Sequence, residues 1–154
     1  VNMAGITSAL CTSFKVELLE GDHDFNNGAD AFKVALLKAN ASITGTYDAT
    51  TTNYSNVTGN SDELPNGSGY TTGGYALTNV NPTSSSTTAF TDFSANAAWS
   101  SATFTTRGCI IYNTSDGNSA VAVINFGADY SVSGGTFEIQ WPTADSSNAI
   151  IRIA

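Results

Sequence analysis

Cys109-Ile110-Ile111-Tyr112-Asn113-Thr114-Ser115-Asp116-Gly117-Asn118-Ser119-Ala120-Val121-Ala122-Val123-Ile124 decides the fold. Two apolar runs, Cys109–Tyr112 and Val121–Ile124, flank Asp116-Gly117, a pair that tolerates the positive φ of a hairpin tip. Each run is apolar at consecutive positions, so both faces of each strand must be covered and the pair belongs in the middle of a sheet. Further along, Phe137, Ile139 and Trp141 alternate with Thr136, Glu138 and Gln140, the pattern of a strand with one wet face. Trp99–Thr105, Ala89–Phe93, Tyr75–Val80 and Ala149–Ile153 read as further strands. They are separated by turn residues such as Asn81-Pro82-Thr83-Ser84 and Ser133-Gly134-Gly135.

Upstream, Phe32-Lys33-Val34-Ala35-Leu36-Leu37 also alternates, with Phe32, Val34 and Leu36 on one face. Before it the period changes: Ile6, Leu10, Phe14 and Leu18 recur every four residues, which predicts one amphipathic helix over about residues 7–20. Thr7 or Ser8 is the expected N-cap, and Gly21 stands at the C-terminal cap. Between the two halves, residues 40–74 are dominated by Ser, Thr, Asn, Gly and Asp, with a short strand predicted over Tyr54–Val57. The chain of 154 residues fits a single domain. The predicted class is mainly β: an antiparallel β-sandwich or open barrel of about eight strands with one N-terminal α-helix.

Composition narrows the function. Only 12% of residues are charged, and 21 Thr, 18 Ser, 15 Asn and 14 Gly supply the polarity instead. With 8 Phe, 6 Tyr and 2 Trp the chain still has material for a core. The formal net charge is −8, and the five basic residues, Lys15, Lys33, Lys38, Arg107 and Arg152, are scattered. No basic patch could neutralise a run of phosphates, which excludes nucleic-acid binding. No apolar run is long enough to span a bilayer as a helix, and the first residues lack a signal-peptide pattern.

The residues that could carry chemistry do not assemble into a motif. His23 is the single histidine and sits between Asp22 and Asp24, which reads as a solvated turn. No serine occupies a Gly-x-Ser-x-Gly elbow. Asp62-Glu63 could in principle supply a glycosidase-type pair, but adjacent acids in a Gly/Asn loop read as solvent-facing. Asp22, Asp24, Asn26, Asn27 and Asp30 form a loose oxygen set that lacks the closing glutamate of an EF-hand. Cys11 and Cys109 both lie among apolar neighbours and are expected as buried free thiols. No enzyme activity, cofactor or metal is expected. Tyr47, Tyr54, Leu64 and Tyr70 are the candidate partner-binding residues of the polar stretch, as an interface or as stacking platforms for sugars. Tyrosines that plug the ends of the sandwich are the alternative.

The segment Ser13-Phe14-Lys15-Val16-Glu17-Leu18-Leu19-Glu20-Gly21-Asp22-His23-Asp24-Phe25, followed by Asp30-Ala31-Phe32-Lys33-Val34-Ala35-Leu36, resembles a family of small virion proteins of tailed bacteriophages, of the marine and cyanobacterial phage type. The likeness continues at Gly69-Tyr70-Thr71-Thr72-Gly73-Gly74, Trp99-Ser100-Ser101-Ala102-Thr103, Arg107–Asn113 and Asn148–Ile153. The stretch from Tyr47 to Leu64 departs from the family pattern. The resemblance implies a virion structural role, most plainly a capsid decoration or cement protein that binds the major capsid protein and neighbouring copies of itself. It implies a place on the capsid surface after assembly in the host bacterial cytoplasm. A tail, tail-tip or fibre component is the second reading, and a carbohydrate-binding or adhesin module the third.

Overall fold

The hairpin around Asp116-Gly117 is the centre of the computed structural model, which describes residues 4–154. The N-terminal segment Val1–Gly5 is a candidate contact element on the sequence, and its first three residues, Val1–Met3, lie outside the described residues. In chain order the elements are β1 (Gly5–Ile6), β2 (Ala9–Leu10), α1 (Thr12–Glu20), β3 (Phe32–Lys38), β4 (Thr46–Tyr47), α2 (Ser55–Gly59), β5 (Tyr75–Ala76), β6 (Thr83–Ser85), β7 (Thr88–Thr91), β8 (Ala97–Asn113), β9 (Ser119–Ile139) and β10 (Ile151–Ile153). A five-stranded sheet runs β2-β9-β8-β3-β5, a three-stranded sheet runs β10-β7-β6, and β1 pairs with β4 in parallel. The chain is mainly β and antiparallel, sandwich-like and not closed into a barrel.

The predicted hairpin forms, with Cys109 facing Ile124, Ile110 facing Val123 and Ile111 facing Ala122. β3 lies beside β8, and Val34, Ala35, Leu36 and Leu37 are all buried. Four consecutive buried positions require cover on both faces of β3. Phe93, two residues after β7, sets its ring 6.2 Å from Phe32 of β3 and 5.4 Å from Trp141, two residues after β9.

Three expectations need correction. The helix spans Thr12–Glu20 rather than about residues 7–20, because Ala9 and Leu10 pair with Val123 and Ala122 as strand. Cys11 takes extended backbone at the helix start with no side-chain cap, and the Ser8 hydroxyl instead accepts the Asn125 N–H at 2.8 Å. Its C-terminus is as expected. Gly21 has φ 84°, with Asp22 N–H donating to Glu17 O (2.9 Å) and Gly21 N–H to Leu18 O (3.3 Å), a Schellman ending. Second, Ser55–Gly59 is a helical turn where a short strand was expected; the Asn53 side chain accepts the Ser55 N–H, a local bond that competes with strand pairing.

Third, the pieces predicted as separate strands are continuous. Trp99–Thr105 and Cys109–Asn113 both belong to β8, and the expected turn at Ser133-Gly134-Gly135 lies inside β9. The breaks are bulges. Thr106 faces Tyr130 and Gly108 faces Asn125, so Phe126–Asp129 oppose Arg107 alone. Arg107 ties that bulge from both sides, with Nε donating to Asn125 Oδ1 (3.3 Å) and Nη1 lying 3.9 Å from Asp129. Bulges of this kind bend a strand and increase its twist without ending it.

Candidate functional site

His23 is not in a solvated turn. It is buried beside Phe14 (ring centroids 5.0 Å apart), Phe25 (6.5 Å) and Phe32 (6.4 Å), and Phe25 stacks on Phe32 at 4.4 Å. Its Nε2 lies 2.7 Å from Glu17 Oε2 and its Nδ1 lies 2.9 Å from Asn113 Nδ2. The Asn113 amide is oriented by its other contacts. Its Oδ1 accepts the Ser115 N–H (2.9 Å), and its Nδ2 also donates to Asp30 Oδ2 (2.9 Å). Nδ1 of His23 is therefore an acceptor, so the ring proton sits on Nε2 and is donated to Glu17.

That proton decides what the cluster can do. Glu17, His23 and Asp116 each bring one ligand atom within 4.8 Å of the others, a grouping that could hold a metal ion. A ligating imidazole needs a bare nitrogen toward the metal and normally donates its other N–H outward. Here the outward nitrogen receives a hydrogen bond and the inward one carries the proton, so the arrangement does not fit a metal. For the same reason neither nitrogen is open to a substrate proton. The cluster acts as a brace: it joins the end of α1 to the tip of the β8–β9 hairpin. The oxygen set nearby is likewise closed on itself. Asp24 Oδ1 accepts Asn26 N and Nδ2, and Asp30 Oδ2 accepts Asp24 N.

Asp62 and Glu63, expected to face solvent, are both buried, Asp62 at 1% exposure. Asp62 accepts the Tyr47 hydroxyl (2.5 Å), Gly45 N–H (2.8 Å) and Thr44 N–H (3.1 Å). Burial pushes its carboxyl up, but these hydrogen bonds together outweigh burial and hold it below its ordinary value. Glu63 accepts the Tyr70 hydroxyl (2.7 Å), the Gly73 N–H (2.7 Å) and the Tyr54 hydroxyl. Tyr70 passes the link on, since its oxygen accepts the Leu36 N–H of β3 at 3.0 Å. Burial, followed by the neighbouring carboxylates, raises Tyr47, Tyr54 and Tyr70 above their ordinary values. Tyr112, raised by burial to about 12, donates to Gly73 O at 2.5 Å. The two acids serve as anchors for a stretch that has little regular structure.

The candidate partner residues lie in different settings. Tyr47, Leu64 and Tyr70 are buried, and Tyr54 is half-buried, stacked on Tyr112 with centroids 4.3 Å apart. Tyr54 and Leu64 share the wall of a pocket of about 370 Å³ with Lys38, Glu63 and Pro65, whereas Tyr47 lines a separate polar one with Thr50, Ser55 and Asn60. No common contact face is formed by the four. Cys11 and Cys109 are free and buried, as expected.

What the sequence did not suggest is an open ribbon. β3 covers the outer edge of β8 only from Thr106 to Asn113, and β2 covers β9 only at Ala122 and Val123. From Tyr130 to Ile139, β9 pairs with β8 alone among the described residues. Beside this free edge a pocket of about 260 Å³ is lined by Phe126, Tyr130, Phe137, Glu138, Ile139 and Gln140, with Tyr130 half exposed at 50%. An uncovered strand edge with apolar side chains beside it is a template for another strand. No helix of the described residues is long and apolar enough to cross a membrane. No protein-family model, curated protein or solved structure matches the chain.

Proposed function

We propose that the chain is a non-enzymatic virion structural protein of a tailed bacteriophage, a decoration or cement protein that binds the major capsid protein shell and neighbouring copies of itself. The observation that carries the assembly role is the free edge of β9 from Tyr130 to Ile139 with its adjoining apolar pocket. A neighbouring subunit can extend the ribbon by backbone hydrogen bonds and seat a side chain in that pocket, so binding needs no covalent chemistry. The phage assignment itself rests on the sequence resemblance. Its support from the fold is indirect: His23, Asp62 and Glu63, the groups best suited to catalysis, are occupied by internal hydrogen bonds.

The test is to find the chain in purified particles. The proposal expects many copies per virion and density on the outside of the head shell. Density confined to tail, tail tip or fibre supports the second reading, and absence from the particle removes the virion role altogether.

A further inference from the structure

A second surface, apart from the ribbon, has the properties of a docking groove. Between α1 and β10 lies an apolar groove of about 270 Å³ lined by Leu10, Phe14, Leu18, Leu19, Ile151 and Ile153. A smaller one of about 100 Å³ continues it past Phe25, Pro82 and Phe90. Two of the large apolar side chains that the fold leaves in water stand on its walls, Leu19 at 90% exposure and Ile153 at 56%. Leu19 lies on a helix whose Phe14 is buried, so its exposure comes from a lack of cover on that side of α1.

Two further observations say what would cover it. β10 is the edge strand of its sheet: β7 pairs with one side of Ile151–Ile153, and no strand among the described residues pairs with the other. The groove is also where the rare cations gather. Lys15 and Arg152 both line it, two of the five basic residues in a chain of net charge −8. Neither side chain makes a hydrogen bond or ion pair with a described residue, although Arg152 lies near enough to Asp145 to lower its carboxyl, behind the hydrogen bonds from Asn148 and Ser147.

We propose that this groove receives an extended segment of another protein in which aliphatic side chains alternate with carboxylates, added to β10 as a further strand. Strand alternation places Ile151 and Ile153 on one face and Arg152 on the other. A paired segment with the same period sets its aliphatic side chains against Leu19 and Ile153 and its carboxylates beside Arg152. Backbone pairing supplies affinity, and the charges set register and exclude basic segments. The inference goes beyond the virion reading and holds wherever the chain works.

The experiment uses the full chain and a short fluorescein-labelled peptide in which valine alternates with glutamate, read by fluorescence anisotropy, beside a peptide with lysine in place of glutamate. The glutamate peptide is expected to bind saturably and at least about tenfold more tightly than the lysine peptide, and Arg152→Glu to weaken it about tenfold or more. Leu19→Asp, at an exposed position that leaves the thermal midpoint unchanged, is expected to abolish binding, and bound peptide should slow amide exchange in Ile151–Ile153. Absence of saturable binding up to about 1 mM, a weak limit for any specific site, overturns the proposal. So does equal affinity for the two peptides, or no effect of Arg152→Glu. A concentration-dependent dimer lost in Leu19→Asp would show that a second copy is the occupant and overturns it too. None of these outcomes bears on whether the chain is found in virions.

Discussion

Residues 40–74 and the β8–β9 ribbon are opposites. The first has two short helical turns, Asn40–Ser42 and Ser55–Gly59, a two-residue strand and a few isolated bridges, yet Tyr47, Val57, Asp62, Leu64 and Tyr70 within it are buried. The second has the longest regular strands of the molecule, yet from Gly127 to Ser131 every residue of β9 is exposed. Regular backbone structure and burial are therefore separate properties here. In the polar stretch, carboxylates and tyrosines satisfy each other inside, which replaces the ladder of a sheet; β9 instead runs on as strand past the point where its side chains are covered.

Two glycines test that contrast most severely. A Cβ on Gly74, at φ 86°, would lie 1.9 Å from the Val34 carbonyl oxygen, and neither backbone can withdraw without breaking β3. Gly74→Ala is expected to cost about 4 kcal/mol or more, read as a collapse of the urea midpoint or of soluble yield. Gly134, at φ 64° in the ribbon, has nothing within 4 Å of the place a methyl group would take, so Gly134→Ala should cost only the left-handed backbone strain of about 1 to 2 kcal/mol.

Next comes Asp62→Ala. It leaves the Tyr47 hydroxyl and the Gly45 and Thr44 N–H groups without an acceptor in a buried place, for a loss of about 3 kcal/mol by denaturant titration. Tyr70→Phe removes one donor to Glu63 and the acceptor of the Leu36 N–H, and about 2 kcal/mol is expected. Tyr130→Ser in the ribbon should change stability by no more than about 0.5 kcal/mol. If that last substitution proved as costly as Tyr70→Phe, the contrast between the two regions would be broken.

Asp62 adds a pH dependence with a definite sign. Because the folded chain holds the Asp62 carboxyl below its ordinary value, the folded state favours the ionised form more than the unfolded chain does. The stability this contributes is complete above the unfolded value of about 4 and is lost as pH falls through the lower folded value. Melting in stepped acidic buffers should show that loss in the wild type and a shallower one in Asp62→Ala.

The hairpin and β3 were readable because their information is local: a turn pair between two apolar runs, and a period of two. The helix end at Gly21 was readable for the same reason. Asp62, Glu63 and His23 were not, because an acid or a histidine among Gly, Asn and Asp looks solvated until its partners arrive from elsewhere. Asn113 lies far from His23 in sequence, and Leu36 far from Tyr70. The length of β8 and β9 was hidden by Gly108, Gly134 and Gly135, residues that mark a turn or a bulge equally well. The ribbon's open edge could not be read at all, since what leaves an edge open is the absence of a neighbour.

The two thiols give the molecule its own reporters. Burial, then the nearby Glu17 and Asp48 charges, pushes the Cys11 thiol up to about 11, and burial alone pushes Cys109 further in the same direction. Neither forms the reactive thiolate at neutral pH while the fold is closed. Cys109 sits in the central hairpin and Cys11 where α1 meets β9, its N–H bonded to Val121 O at 3.0 Å. The rate at which each is alkylated under native conditions therefore measures how often its part of the protein opens, with the sheet centre and the helix junction read separately in a single digest.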